Sequence, residues 1–278
     1  MFAGQVAAEG LLHLHVHEKE RWKRGENGKV HQNVVDVLEA AWGGFVTPPG
    51  SKHHYLTLGH LETVFHYYIH GRDPWQVEPL AESGRVLAER ATVFQWPSSS
   101  GTELLTIGGK PDIPAIVCGT TAIVDWKCST QYITDYWAKK FHIGHQLRTY
   151  IAMLRHEYGI KVDTAYVDGI HMGVKAAEGD AAWKNLKSVR SKLFGPYHFD
   201  EQQMEETWTW YKTGLELQRF YAENGHYPQN EGACGNYGGC EFGTLCSRSP
   251  RSRTAKKMSE YIVRPEHTGA LLSGADSE

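Results

Sequence analysis

Asp112, Asp125 and Lys127 are the residues whose types and spacing can do chemistry in this chain. Asp125 and Lys127 stand two apart, so on a strand they share one face. Asp112 closes a Gly109-Lys110-Pro111-Asp112 turn that opens an apolar run over residues 113–118; Gly119-Thr120 breaks it, and a second run follows over 121–126. That alternation of turn and β-branched runs predicts a hairpin with Asp112 across from Asp125 and Lys127. Two carboxylates on neighbouring strands suit a hard cation such as Mg²⁺ or Mn²⁺, which is held by one or two carboxylates plus water and substrate phosphate. An ammonium beside such an ion can orient an attacking water or neutralise charge on a phosphoryl oxygen. An isolated Asp-x-Lys is a weak signal and is equally the solvated end of a strand, so the surrounding elements decide its weight.

Those elements are an amphipathic helix predicted over residues 133–158, with Ile133, Trp137, Phe141, Leu147, Tyr150, Ile151 and Leu154 on its apolar side, and strands on either side of the hairpin. On that helix Gln146 and Tyr150 are four apart and share a face. Lys139, Lys140 and Arg148 are cations available there for phosphate contacts. A strand over 85–94 carries Glu89, a secondary candidate for the metal site, and another strand is expected over 162–174. Residues 178–193 read as loop or peripheral helix. The stripe Met204, Trp208, Tyr211, Leu215 and Phe220 predicts a helix with Asp200 as its cap. The chain opens with an amphipathic helix over 2–24, whose His13 and His17 read as solvated or core-edge side chains. Helices around 31–42 and 58–69 look like an insertion spanning about 25–80.

Taken in order, Gly109-x-x-Asp112, Asp125-x-Lys127 and Gln146-x-x-x-Tyr150 resemble the PD-(D/E)XK nuclease superfamily in its RecB/Cas4-like branch. The resemblance covers most of the chain. It implies a restriction-endonuclease-like core and a metal-dependent deoxyribonuclease, with Asp112 and Asp125 as metal ligands, Lys127 as catalytic lysine, Gln146 and Tyr150 along the DNA path, and Glu89 assisting. It further implies a role in phage or prokaryotic DNA repair, recombination or end processing. The family's first helix normally carries a metal-binding histidine in a Gly-x-x-x-His-Glu-Gly-Leu pattern. The stretch from Gly4 to Leu11 matches with Ala8 in the histidine's place, and an alanine cannot bind metal. A DNA-binding homologue with impaired cleavage is therefore the competing expectation.

Composition narrows the rest. At 278 residues and a net charge of −3 there is room for a sizeable core and no global basic signal, so nucleic acid must be met by local patches. No apolar run reaches the ~18 residues of a membrane span, and the odd count of five cysteines fits a reducing compartment. A cytoplasmic protein without membrane partners is expected, in the host cytoplasm if phage-encoded. Cys234, Cys240 and Cys246, spaced by five residues in a Gly-rich stretch, read as thiolate ligands for Zn²⁺ or an iron–sulfur cluster. The resemblance points to a 4Fe-4S cluster whose fourth cysteine precedes the first helix. Cys118 and Cys128 read as packed thiols instead. Arg251 and Arg253 lie in a basic run just beyond Cys246 and are further candidates for phosphate contact.

The expected architecture is thus α/β: a mixed central sheet flanked by helices over residues 1–223, a cysteine-rich lobe over 224–266, and a disordered tail over 267–278. DNA is the expected partner, with a homo-oligomer or a recombination partner protein left open.

Overall fold

The computed structural model of the protein describes residues 2–43, 58–71, 76–82, 85–172 and 191–225. The cysteine lobe, with Cys234, Cys240, Cys246, Arg251 and Arg253, and the tail lie outside the described residues, as does most of 178–193. The chain divides into two compact units, Met1–Thr207 and Trp208–Glu278, so the division falls before residue 223, inside the last described helix.

The first unit is α/β. Helices α1 (Phe2–His17), α2 (Lys19–Lys23), α3 (Asn27–Trp42) and α4 (Leu58–Gly71) precede the strands. Five strands form the main sheet: β1 (Val77–Pro79), β6 (Ile113–Val117), β7 (Thr120–Ser129), β8 (Thr164–His171) and β9 (Ser191–His198), side by side in that order. The β7–β8 pair is parallel and the others antiparallel, so the sheet is mixed. Two short hairpins, β2 (Ala81–Glu82) with β3 (Arg85–Val86) and β4 (Thr92–Pro97) with β5 (Leu104–Gly109), stand apart from it.

The β6–β7 hairpin forms where expected, but its two-residue turn is Cys118-Gly119. Both residues have positive φ, 50° and 81°, which matches the twist of a tight hairpin. Cys118 is therefore exposed in a turn and not packed in a strand, while Cys128 is half-buried on β7.

Side chains alternate across the sheet, and the two faces have different cover. Ala115, Val117, Ala122, Val124, Trp126 and Ile170 point to one face, where Leu11 and Leu14 of α1, Val34 and Leu38 of α3, and Leu61, Phe65 and Tyr68 of α4 close over them. Each fully buried Leu, Ile or Phe there contributes about 1.5–3 kcal/mol of transfer free energy. The segment expected as an insertion at 25–80 thus supplies 10 of the 22 described residues of this core. Its helices carry a wide apolar stripe, and a stripe that must be buried needs a sheet to cover.

The other face is covered by α5 (Asp135–Ile143) and α6 (Gln146–Glu157). The single helix predicted over 133–158 is broken at Gly144, whose extended ψ of 161° interrupts the ladder. Thr134 caps α5 by accepting from Trp137 N–H at 3.1 Å. The last helix, α7 (Glu201–Asn224), starts where Asp200 predicted it: Gln203 N–H donates to Asp200 Oδ1 (2.8 Å), and Asp200 N–H donates back to Gln203 Oε1 (3.0 Å).

Candidate active site

Ile113 pairs with Val124 across the hairpin, so Asp112 and Asp125 stand opposite each other at the next position, on the face covered by α5 and α6. Asp125 is fully buried, and its Oδ2 lies 2.6 Å from Lys127 Nζ, two residues along the same strand. Among the described residues no main-chain or hydroxyl donor hydrogen-bonds to it, and the Asp112 carboxyl lies beside it. Asp112 is oriented by the backbone of β7 itself, because Trp126 N–H donates to its Oδ2 at 2.6 Å.

Burial, then the Asp125 charge, pushes the Asp112 carboxyl up to about 8, against the opposing pull of Lys127 and the Trp126 N–H. Asp125 is raised as well, chiefly by burial, with Lys127 pulling it down. Two carboxylates this close cannot both stay charged in a desolvated site, so the pair retains a shared proton at neutral pH unless another cation replaces it.

Glu89 does not lie on a strand. It occupies the turn between β3 and β4 with a φ of 53°, its N–H donating to Asp112 O (2.9 Å) and Pro111 O (3.1 Å). A strand was expected because residues 85–94 alternate, imperfectly, as a strand does, but the chain folds here as two short strands around that turn. The Glu89 carboxylate pairs with Lys110 and adds a smaller upward push on both aspartates. It is a neighbour of the dyad with its own cation.

Gln146 and Tyr150 share a face at the start of α6, and the Gln146 Nε2–H donates to the Tyr150 hydroxyl oxygen at 3.0 Å. The Tyr150 ring packs beside Gly109, at the start of the Asp112 turn. Burial pushes its phenol up to about 12, and the charges of Asp125, Asp112 and Glu89 add to the shift. It is therefore a hydrogen-bond donor at any working pH.

The cations divide. Lys139 and Lys140 are exposed on α5. Arg148 is not: it is 7% exposed, its Nη1 reaches Thr207 Oγ1 (3.3 Å), Gln203 O (3.4 Å) and Glu206 Oε2 (3.6 Å), and its guanidinium lies 5.3 Å from the centroid of the Phe199 ring. An amphipathic helix shows its polar positions in sequence but not which of them a later segment will cover. At this position the 199–207 segment takes up the arginine.

The donor set fits a hard divalent cation. Asp112 and Asp125 are oxygen donors whose mutual repulsion a cation would relieve, and Mg²⁺ needs no more than two carboxylates. Among the described residues no three His, Cys, Asp or Glu side chains form a ready-made cage. Sequence reasoning missed two supports of the dyad. The Trp126 N–H has no side-chain signal at all. Phe141, whose ring centroid lies 5.8 Å from Lys127 Nζ, reads in the sequence only as part of an apolar stripe.

No protein-family model matches the chain, and no curated protein matches it. A solved structure, that of SSO0001, is similar at 14% identity over 87% of this chain and 84% of that one, with a TM-score of 0.34, a likeness too slight to carry an argument. Among the described residues no helix is long and apolar enough to cross a membrane.

Proposed function

We propose that the protein is a Mg²⁺- or Mn²⁺-dependent deoxyribonuclease of the PD-(D/E)XK type, with a restriction-endonuclease-like core, that hydrolyses phosphodiester bonds, most simply from strand ends, in phage or prokaryotic DNA processing. The observation that carries this is the meeting of two mutually repelling carboxylates, buried Asp125 and half-buried Asp112, with one lysine, Lys127, on the same face of a strand pair. Asp112 and Asp125 would hold the metal ion. When bound, the ion supplies Lewis acidity toward the scissile phosphate and lowers the pKa of an attacking water. Lys127 exchanges its contact with Asp125 for one with the water or a non-bridging phosphoryl oxygen, and in-line attack leaves a 5′-phosphate and a 3′-hydroxyl. Tyr150, held as a neutral donor, and Gln146 contact the strand beside the dyad.

A second reading, DNA binding with impaired cleavage, is favoured by Ala8 on α1, where the family resemblance calls for a metal-binding histidine. End-labelled single- and double-stranded DNA incubated with Mg²⁺ or Mn²⁺ separates the two. Cleavage by the protein as it stands supports the nuclease, cleavage only by an Ala8→His variant supports the impaired homologue, and silence from both removes the nuclease reading. If the cysteine stretch holds a 4Fe-4S cluster or Zn²⁺, Cys240→Ser lowers the metal content of purified protein; an unchanged content excludes a metal there.

A further inference from the structure

Helix α5 buries one side and, among the described residues, leaves the other uncovered. Trp137 and Ala138 face the sheet. Tyr136, Lys139, Lys140 and Ile143 recur at the spacing that puts them on the opposite face, with Tyr136 85% and Ile143 73% exposed. A tyrosine and an isoleucine this exposed beside two lysines make an apolar and cationic stripe, and large apolar side chains clustered at a surface mark a contact site. The only carboxylate on α5, Asp135, is already paired with Lys192 at 2.7 Å.

The stripe is tied to the dyad by its buried side. Gly169 of β8 pairs with Lys127 of β7, and a side chain at Gly169 would come within 3.1 Å of Trp137 and 2.9 Å of Phe194, so α5 is seated on the backbone directly beside the lysine. Phe141 lies between the two charged groups: Lys127 Nζ is 5.8 Å and Lys140 Nζ 4.9 Å from its ring centroid. Tyr132, in the connection from β7 to α5, stacks on His171 with centroids 4.8 Å apart and planes inclined by 16°. His171 pairs with Ser129, two residues beyond Lys127, and Tyr132 keeps 58% of its surface exposed.

We propose that Tyr132 and Tyr136, with Lys139 and Lys140, form a stacking platform for single-stranded DNA leading to the Asp112–Asp125–Lys127 site. This rests on the nuclease reading above and names its substrate class. Exposed rings with interleaved lysines bind a strand whose bases are free to leave their neighbours: the rings take the bases, and the ammonium groups take the phosphates. A duplex offers no free base faces and is held mainly through its phosphates, so exposed rings add little to its binding.

The test is fluorescence anisotropy of the full chain in EDTA, where no cleavage occurs, with a labelled 20-nucleotide oligothymidylate and a labelled 20-base-pair blunt duplex. Tyr136→Ala and Tyr132→Ala should each weaken oligothymidylate binding by about 5- to 100-fold, from the worth of one base stack. Tyr136→Phe should bind like the parent, and duplex binding should change by less than about twofold. Tyr136 is exposed enough that its variants fold, and circular dichroism confirms this for each protein. Equal weakening on both probes, no weakening, failure of the parent to bind oligothymidylate, or a Tyr136→Phe variant as weak as Tyr136→Ala overturns the platform. So does a change in self-association as the main effect of Tyr136→Ala, which would make the stripe a contact between copies. Absence of cleavage with the binding pattern intact would instead count against the nuclease reading alone.

Discussion

On one face of the central sheet Asp125 sits beside Asp112 and Lys127. On the other, Asp168, side by side with Trp126 in the register, accepts a 2.6 Å hydrogen bond from the Tyr68 hydroxyl. Both aspartates are fully buried. The second is built into a hydrogen-bonded chain: Tyr68 OH accepts from His15 Nε2 at 3.1 Å, and the His15 ring stacks on Trp126 with centroids 5.7 Å apart. That chain ties α1 and α4 to the middle of β7 and β8, and the same Trp126 whose ring it holds orients Asp112 through its N–H. The first aspartate has a like charge for a neighbour in place of a hydroxyl donor, and a lysine only 25% exposed at its mouth. One strand, β7, thus carries a hydrogen-bonded histidine–tyrosine–aspartate chain on one face and two facing carboxylates with a lysine on the other. The first aspartate is met by a neutral donor within the fold, whereas facing carboxylates are relieved by a cation that binds.

Breaking each face should give opposite phenotypes. Lys127→Ala should lower metal-dependent cleavage at least about a hundredfold while leaving DNA affinity in EDTA within about twofold, since the lysine acts on the reacting phosphate; retained turnover would remove it from the mechanism. Tyr68→Phe should do the reverse. Removing the donor to buried Asp168 costs about 1–3 kcal/mol of stability in denaturant unfolding, with cleavage per folded molecule unchanged.

The pH dependence of stability sharpens the contrast. Asp112 has a folded pKa of about 8, raised above its value in the unfolded chain, so the folded state binds the extra proton between the two. Its contribution is fully present below about pH 4 and is lost as pH rises toward 8, at no more than about 1.4 kcal/mol per pH unit. The midpoint of metal-free thermal unfolding should fall over that window in the parent and flatten in Asp112→Asn; an equal slope in both would place the titration elsewhere. The smallest effect belongs to Gln146→Ala, which should weaken single-stranded substrate binding by about two- to tenfold, the worth of one hydrogen bond.

The hairpin, the dyad and the Gln146–Tyr150 pair were legible because each follows from a short-range period, two for strands and four for helices. So was the cap at Asp200. What was not legible depends on contacts distant in sequence. His15, Tyr68 and Asp168 lie 53 and 100 residues apart and meet only because the sheet brings them together. The burial of Arg148 is decided by the 199–207 segment, and the role of α3 and α4 in the core by a sheet not yet formed at their place in the chain. Strand β1 is three residues long, ends in proline and was not expected at all; it exists as the edge partner of β6. The helix break at Gly144 was a different failure, since a lone glycine in a periodic stretch permits a break without requiring one.

The most direct test of the central claim is calorimetric titration of Mn²⁺, a hard ion that thiolates do not favour, into the protein and into two variants, Asp125→Asn and Asp168→Asn. The two aspartates are alike in burial and lie on opposite faces of the same strand pair. About one Mn²⁺ per chain, lost in Asp125→Asn and retained in folded Asp168→Asn, is the predicted result. Binding that survives Asp125→Asn, or that is absent from the parent, would contradict the assignment of Asp112 and Asp125 as a metal site.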